Sequence, residues 1–216
     1  MSPNRAKMVS NLRVIKLGGS LLTLPTLSSQ FQQWCRANPH PRSLIIVGGG
    51  GLVDAVRMID RANPLREDFA HWVCIDLMQH SARLAHEILA GVGLIETANE
   101  LQRFLAERHS PTALPNVSIV QIGLCFERCH PNMGLPESWD VTSDALAAAF
   151  AIMHGAQELV MMKSCDASGE GGQLESLVRA GVVDPHFAEL AKSINHTHFV
   201  NLRALGSVQT PRKNLA

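Results

Sequence analysis

The sequence predicts an α/β fold with a largely parallel sheet covered on both faces. Two observations point there: short β-rich runs alternate with helical patterns, and the first two runs end directly on glycines. Residues 12–17 (LRVIKL) read as the first strand, cut off by Gly18-Gly19-Ser20. A helix over 26–37 follows, with Leu27, Phe31, Trp34 and Cys35 near helical spacing, and Asn38-Pro39-His40-Pro41 ends it. Residues 43–47 (SLIIV) form a second buried strand, followed at once by Gly48-Gly49-Gly50-Gly51. Leu52, Val53, Val56 and Ile59 mark the next helix, which stops near Asn63-Pro64. The longest helical pattern spans 67–90, carrying Trp72, Ile75, Leu77, Met78, Leu84, Ile88 and Leu89. Ile95 marks a brief strand, and Leu101, Phe104 and Leu105 a helix before the break at 110–115. Residues 117–120 form a strand, and 144–154 a compact apolar helix with Gly155 at its C-cap. A strand at 158–162, a helix at 185–194 and a last strand at 197–202 complete the pattern. The expected organisation is one domain over 11–205, between a flexible N-terminus (1–10) and a flexible tail (206–216).

Composition narrows the function. The chain has 216 residues with 19 Lys+Arg against 19 Asp+Glu, and 46% of residues are hydrophobic. Zero formal charge removes the usual electrostatic drive toward nucleic acid or an anionic membrane. The apolar content is too high for a disordered chain, and no apolar run approaches the roughly 20 residues of a membrane span. Met1 to Ser10 carries Arg5 and Lys7 without the apolar stretch of a signal peptide, so the expected setting is cytoplasmic. Five cysteines (35, 74, 125, 129 and 165) then read as reduced thiols. Cys125, Cys129 and His130 offer CxxxC with a histidine, and His196 and His198 add two more nitrogens, but no second closely spaced pair completes a structural zinc site. No protein-bound metal is predicted. Small-molecule chemistry is favoured.

Two strand–glycine–helix units fall within the first 60 residues. Such loops lie at the carboxyl ends of strands, where an open α/β sheet has its ligand crevice. Glycines let the backbone approach a ligand and turn amides toward it, and the following helix start favours anions. Lys16 stands just before Gly18, Gly19 and Ser20, so an ammonium charge and a hydroxyl can meet a phosphate there; Gly48, Gly49 and Gly50 build a second nest for oxygen atoms. Neither of the common nucleotide fingerprints is present: GxxxxGK[ST] puts its lysine after the glycines, and no acidic strand residue answers Gly48 as in GxGxxG.

The ordered set Lys16-Leu17-Gly18-Gly19-Ser20-Leu21, Val47-Gly48-Gly49-Gly50 and Asp140-Val141-Thr142-Ser143-Asp144-Ala145-Leu146-Ala147-Ala148 resembles the amino acid kinase family, which includes aspartate, glutamate and uridylate kinases. The similarity runs roughly from Leu12 to Asp166. It implies a three-layer α/β/α sandwich, ATP as phosphoryl donor with Mg2+ bridging nucleotide oxygens, a small-molecule acceptor, and self-association into homo-oligomers. It implies that Lys16 neutralises the transferring phosphoryl group and that Asp144 organises the catalytic lysines. Gly18, Gly19, Ser20, Gly48, Gly49, Gly50, Thr142 and Ser143 would then hold substrate and phosphate oxygens. Lys163 follows a strand in the nucleotide-binding half and is the second candidate for catalysis and phosphate contact; Asp166 is a candidate beside the nucleotide. Many members supply a late catalytic lysine from Gly-Gly-x-x-x-Lys, whereas Gly171-Gly172-Gln173 is followed by no lysine at that spacing.

The compact length, the His71-Trp72 helix, the Trp139-Asp140-Val141-Thr142-Ser143-Asp144 segment and the Gly181-to-Phe187 segment resemble the branch related to aminomethylfuran phosphate kinase of methanofuran biosynthesis. That branch implies a small anionic acceptor, a carboxylate or a phosphate monoester, in one-carbon cofactor metabolism. His71, His80 and His86 are candidates to line the acceptor pocket, as are Arg57, Arg61 and Arg66 to meet its charge, although surface positions explain most of them equally. Asp76 and His80 share a helix face and can pair with each other. Trp72 and Met78 read as core. The alternative reading of the whole chain is a non-catalytic nucleotide- or oxyanion-binding protein, of storage type, on the same fold.

Overall fold

The computed structural model describes residues 11–106, 116–126, 134–167 and 174–206. The predicted flexible N-terminus at 1–10, the break at 110–115, Cys129, His130 and Gly171-Gly172-Gln173 lie outside the described residues, as does the predicted tail at 206–216 except Gly206, which ends a 3-10 turn over Ala204–Gly206. Six strands form one sheet: β1 Arg13–Leu17, β2 Ser43–Val47, β3 Gly93–Ile95, β4 Val117–Val120, β5 Glu158–Lys163 and β6 His196–Asn201. Their order is β3-β4-β2-β1-β5-β6 and every pair is parallel. Parallel neighbours need long crossovers, and these are the helices: α1 Leu27–Ala37, α2 Gly50–Ala62, α3 Glu67–Ile88, α4 Ala98–Ala106, α5 Ser143–Met153, α6 Leu174–Arg179 and α7 Pro185–Ala191.

Alternation along the central strands sorts the core into two layers. Leu12, Val14, Leu44, Ile46, Leu159 and Met161 pack with α5, with Phe187 of α7 and with Trp72, Ile75 and Met78 of α3. Ile15, Leu17, Ile45, Val47, Val160 and Met162 pack on the other side with Leu27, Phe31 and Trp34 of α1 and with Ala82 and Ala85 of α3. The three-layer sandwich is thus present, with the sheet in the middle. Trp72 and Met78 are core, as expected.

The differences from the sequence reading are local. Glycines 18 and 19 do not simply end β1; a 3-10 turn over Gly19–Thr23 follows them. Strand β5 continues one residue further than expected, to Lys163, and β6 begins and ends one residue earlier. The predicted helix at 185–194 stops at Ala191, and α6 lies in a stretch that carried no prediction.

The two glycine loops touch. A Cβ on Gly19 would collide with the backbone nitrogen of Gly50 and the carbonyl oxygen of Gly48, and Gly50 itself holds φ +52° with the Gly19 carbonyl oxygen 2.5 Å from where its Cβ would stand. Both obstacles are main chain and cannot swing aside. Gly19→Ala is therefore expected to lower the unfolding free energy by about 3 kcal/mol, read in urea titrations. Gly51→Ala, which meets nothing within 4 Å, is expected to be neutral or to stabilise by up to ~1 kcal/mol through helix propensity.

Candidate functional site

Strands β2, β1 and β5 are neighbours, and their carboxyl ends open into a cleft of about 360 Å3. Its walls include Lys16, Gly18, Gly19, Ser20, Gly48, Gly49, Gly50, Thr142, Ser143, Asp144 and Lys163. One predicted site residue, Asp166, is not among the lining residues; it is exposed and accepts a hydrogen bond from Asn201 Nδ2 at 2.9 Å.

The centre of the cleft is a buried carboxylate between two ammonium groups. Lys16 lies on β1 between Val14 and Gly18, and Lys163 lies two residues after Met161 on β5, so strand alternation turns both toward the face that α5 covers. Thr142 caps α5, its hydroxyl accepting from the Asp144 amide at 3.2 Å, which places Asp144 in the first turn. Alanines 145, 147, 148, 149 and 151 are all at most 1% exposed, so this helix lies close on the sheet. Asp144 Oδ1 then stands 2.8 Å from Lys16 Nζ, and Oδ2 2.6 Å from Lys163 Nζ. Lys163 Nζ also donates to the Val182 carbonyl oxygen at 2.7 Å.

Burial pushes the Asp144 carboxyl up, but the charges and contacts of Lys16 and Lys163 outweigh it and hold the group below the usual aspartate range. Lys163 moves the other way. Burial and the charge of Lys16 bring it down to about 8, against the smaller lifting effect of Asp144 and Cys165. Two cations against one anion leave the cleft with an excess positive charge.

The amides are divided. Gly18 N donates to the Met162 carbonyl oxygen and Gly48 N to that of Leu17, each at 2.9 Å, tying both loops to the sheet. No hydrogen bond within the described residues occupies the amides of Gly19, Ser20, Gly49 and Gly50, which begin the 3-10 turn and α2. Helix starts of this kind suit anions. The Ser20 hydroxyl shares a hydrogen bond of 3.0 Å with that of Ser164. A Cβ on Gly48 would stand 2.8 Å from Ser143 Oγ, so the absence of a side chain there keeps α5 against the second loop.

The remaining wall comes from α2, α3 and the loop before α5. Arg57, the one predicted arginine of three that lines the cleft, reaches Asp54 Oδ1 at 2.9 Å and lies over the Trp139 ring, 5.6 Å from its centroid. Arg66 pairs with Asp68 instead. Of the three histidines only His71 lines the cleft; it is 6% exposed and its Nδ1 is 3.2 Å from the Ser138 carbonyl oxygen. Burial pushes the His71 imidazole down. Asp76 accepts from Gln79 Nε2 at 3.4 Å rather than serving the site. Sequence reasoning missed Trp139, and it missed Asp184, whose carboxylate accepts from Thr142; the dipeptide Asp184-Pro185, a cap followed by a first-turn proline, was the available signal.

Among the described residues, no group of three His, Cys, Asp or Glu side chains could hold a metal ion, and the described cysteines 35, 74, 125 and 165 are free thiols. Both oxygens of Asp144 are engaged by lysines. The donor set does not fit a cation bound by protein alone.

The model of the amino acid kinase family matches residues 11–167. The chain belongs to the amino acid kinase family. The match has nearly the span that the motifs indicated, and the chain is accordingly a phosphotransferase of that family, a small-molecule kinase. It is 24% identical over 202 residues to the [5-(aminomethyl)furan-3-yl]methyl phosphate kinase of Methanocaldococcus jannaschii, covering 88% of this chain and 87% of that protein. Its fold is that of uridylate kinase from Archaeoglobus fulgidus (TM-score 0.55, 16% identity, 90% of this chain and 95% of that one). UMP kinase from Bacillus anthracis (0.59, 13%, 89% and 88%) and aspartate kinase from Synechocystis (0.52, 17%, 87% and 38%) share it. No helix among the described residues is long and apolar enough to cross a membrane.

Replacing Asp144 by asparagine leaves two buried ammonium groups facing each other. Asp144→Asn is expected to lower the unfolding free energy by about 3 kcal/mol at pH 7 in urea titrations. Because the carboxyl is held below its ordinary value, this difference is complete between about pH 4 and 7 and closes as the pH falls further; above about pH 8 it shrinks as Lys163 loses its proton.

Proposed function

We propose that this kinase transfers the γ-phosphoryl group of ATP to a small anionic acceptor, a carboxylate or a phosphate monoester, with Lys16, Asp144 and Lys163 as its catalytic set. The observation that carries this reading is the single carboxylate held between two lysines at the mouth of two glycine loops. Phosphoryl transfer needs positioning and neutralisation of developing charge more than a covalent nucleophile. Lys16 and Lys163 supply the charge. Asp144 fixes where both ammonium groups point and keeps them from repelling each other apart. The unoccupied amides of Gly19, Ser20, Gly49 and Gly50 face phosphate oxygens, with Ser143 beside them, while Gly18, Gly48 and Thr142 hold the frame. Mg2+ bound to the nucleotide would supply shielding of the phosphate oxygens; among the described residues, no cluster of side chains forms a cage for it.

The acceptor lies on the wall made by α2 and α3, where Arg57 offers a cation and His71 a neutral imidazole. The relative in M. jannaschii is named for a substrate that already carries a phosphate ester. Such a monoester suits Arg57 beside the excess charge of the lysines; a role in one-carbon or methanofuran-type cofactor metabolism is what the resemblance to the aminomethylfuran phosphate kinase branch implies. Asp166, bound to Asn201 outside the cleft, contacts at most the outer part of the nucleotide.

The test is transfer of labelled phosphate from MgATP to a panel holding [5-(aminomethyl)furan-3-yl]methyl phosphate, uridine monophosphate and aspartate. Turnover of a monoester or carboxylate is expected; ATP binding with no transfer to any of them would favour the oxyanion-binding alternative. Lys16→Met is expected to cut kcat by ~100-fold or more with the fold intact. The rate should fall above about pH 8 as Lys163 loses its proton, and Lys163→Arg should remove that fall whatever its effect on the absolute rate.

A further inference from the structure

One buried carboxylate grips the catalytic group from behind without facing the cleft. Asp184 is 7% exposed and stands at the start of α7. Its Oδ2 accepts from the Thr142 amide at 3.2 Å, from the Thr142 hydroxyl and from the Ala145 amide at 3.1 Å, while Oδ1 accepts from the Phe187 amide at 2.7 Å. A capping aspartate needs only the last of these. The other three cross 39 to 42 residues of sequence to the first turn of α5 and bracket Asp144 on both sides. Two residues before Asp184, in the bend between α6 and α7, the Val182 carbonyl oxygen receives Lys163 Nζ. Gly181, with φ +66°, makes the bend that allows one short segment to reach both partners.

From this we infer that Asp184 is a positioning residue that fixes the Lys163–Asp144 pair, by fastening the first turn of α5 to the first turn of α7. The inference rests on the reading of that pair as catalytic. Three donors of the α5 start share Oδ2 and the Phe187 amide takes Oδ1. In Asp184→Asn one of these oxygens becomes an NH2 donor, so one side of the bridge loses its acceptor, the α5 start moves away and water reaches Lys163. The groups facing the Lys163 ammonium are Lys16 from β1, Asp144 from α5, the Val182 carbonyl oxygen and, beyond its own strand, Cys165. Burial and Lys16 together outweigh Asp144, and loosening weakens all of them at once. The net movement is upward, toward an ordinary lysine.

The experiment is trace acetylation of the full chain with acetic anhydride between pH 6 and 11, with the Lys163 peptide followed by mass spectrometry and each variant's melting temperature recorded. Wild type should give a midpoint of about 8. Asp184→Asn should raise it by about one pH unit. Phe187→Leu, a buried change on the same helix that leaves the carboxylate alone, should lower the melting temperature and leave the midpoint in place. If Asp184→Asn does not fold, Thr142→Val, which removes the hydroxyl donor from the other side, should raise the midpoint in the same way. A midpoint unchanged or lowered in the asparagine variant, with a melting shift like that of Phe187→Leu, would overturn the inference and leave the catalytic reading standing. A wild-type midpoint near the ordinary lysine value of about 10.4 would instead overturn the reading of the pair itself.

Discussion

A carboxylate with two ammonium groups within 2.8 Å, all three side chains at most 12% exposed, is the constraint around which the cleft is arranged. Taking charges out of water costs several kcal/mol each, and mutual attraction recovers that cost only when geometry is good. Here the sum is also unbalanced, because the second cation has no second anion. The imbalance lies at the centre of a cleft, where, on the proposed function, an anionic ligand would complete the set. A structural ion pair has no reason to carry the extra charge, whereas a site for phosphate has one.

The sheet makes the arrangement possible with few moving parts. β1 lies between β2 and β5 in a register that pairs Lys16 with Ile46 on one side and Met161 on the other. Parallel pairing puts all three strand ends at the same level, so the loop glycines, Lys16 and Lys163 share one edge. Backbone-to-backbone contact of Gly19 with Gly48 and Gly50 closes the two loops into a single floor. The alanine-rich face of α5 then brings Asp144 down to it. Each step uses small residues where closeness matters and charge only at the end.

Much of this was legible in the sequence because it depends on local pattern. Short β-rich runs ending on glycine located β1 and β2, and the TSDALAA segment located the start of α5. Lys163 was harder: ending β5 at Met162 hid the alternation that points residues 159, 161 and 163 to one side. Helix α6, six residues long, is too short to show a helical period. Asp184-Pro185 signals only a helix cap in the sequence; the role of Asp184 at the site comes from Thr142, 42 positions away, and no local period reports such a contact. Arg57 and Arg66 look alike in sequence, and only the packing of α2 against the loop at Trp139 separates them.

The most direct measurement is a crystal structure of the protein with Mg2+ and a non-hydrolysable ATP analogue. The terminal phosphoryl group is expected within hydrogen-bond distance of both Lys16 Nζ and Lys163 Nζ, with oxygens on the amides of Gly19 or Gly50. A nucleotide seated elsewhere, with the two lysines still bound only to Asp144, would contradict it.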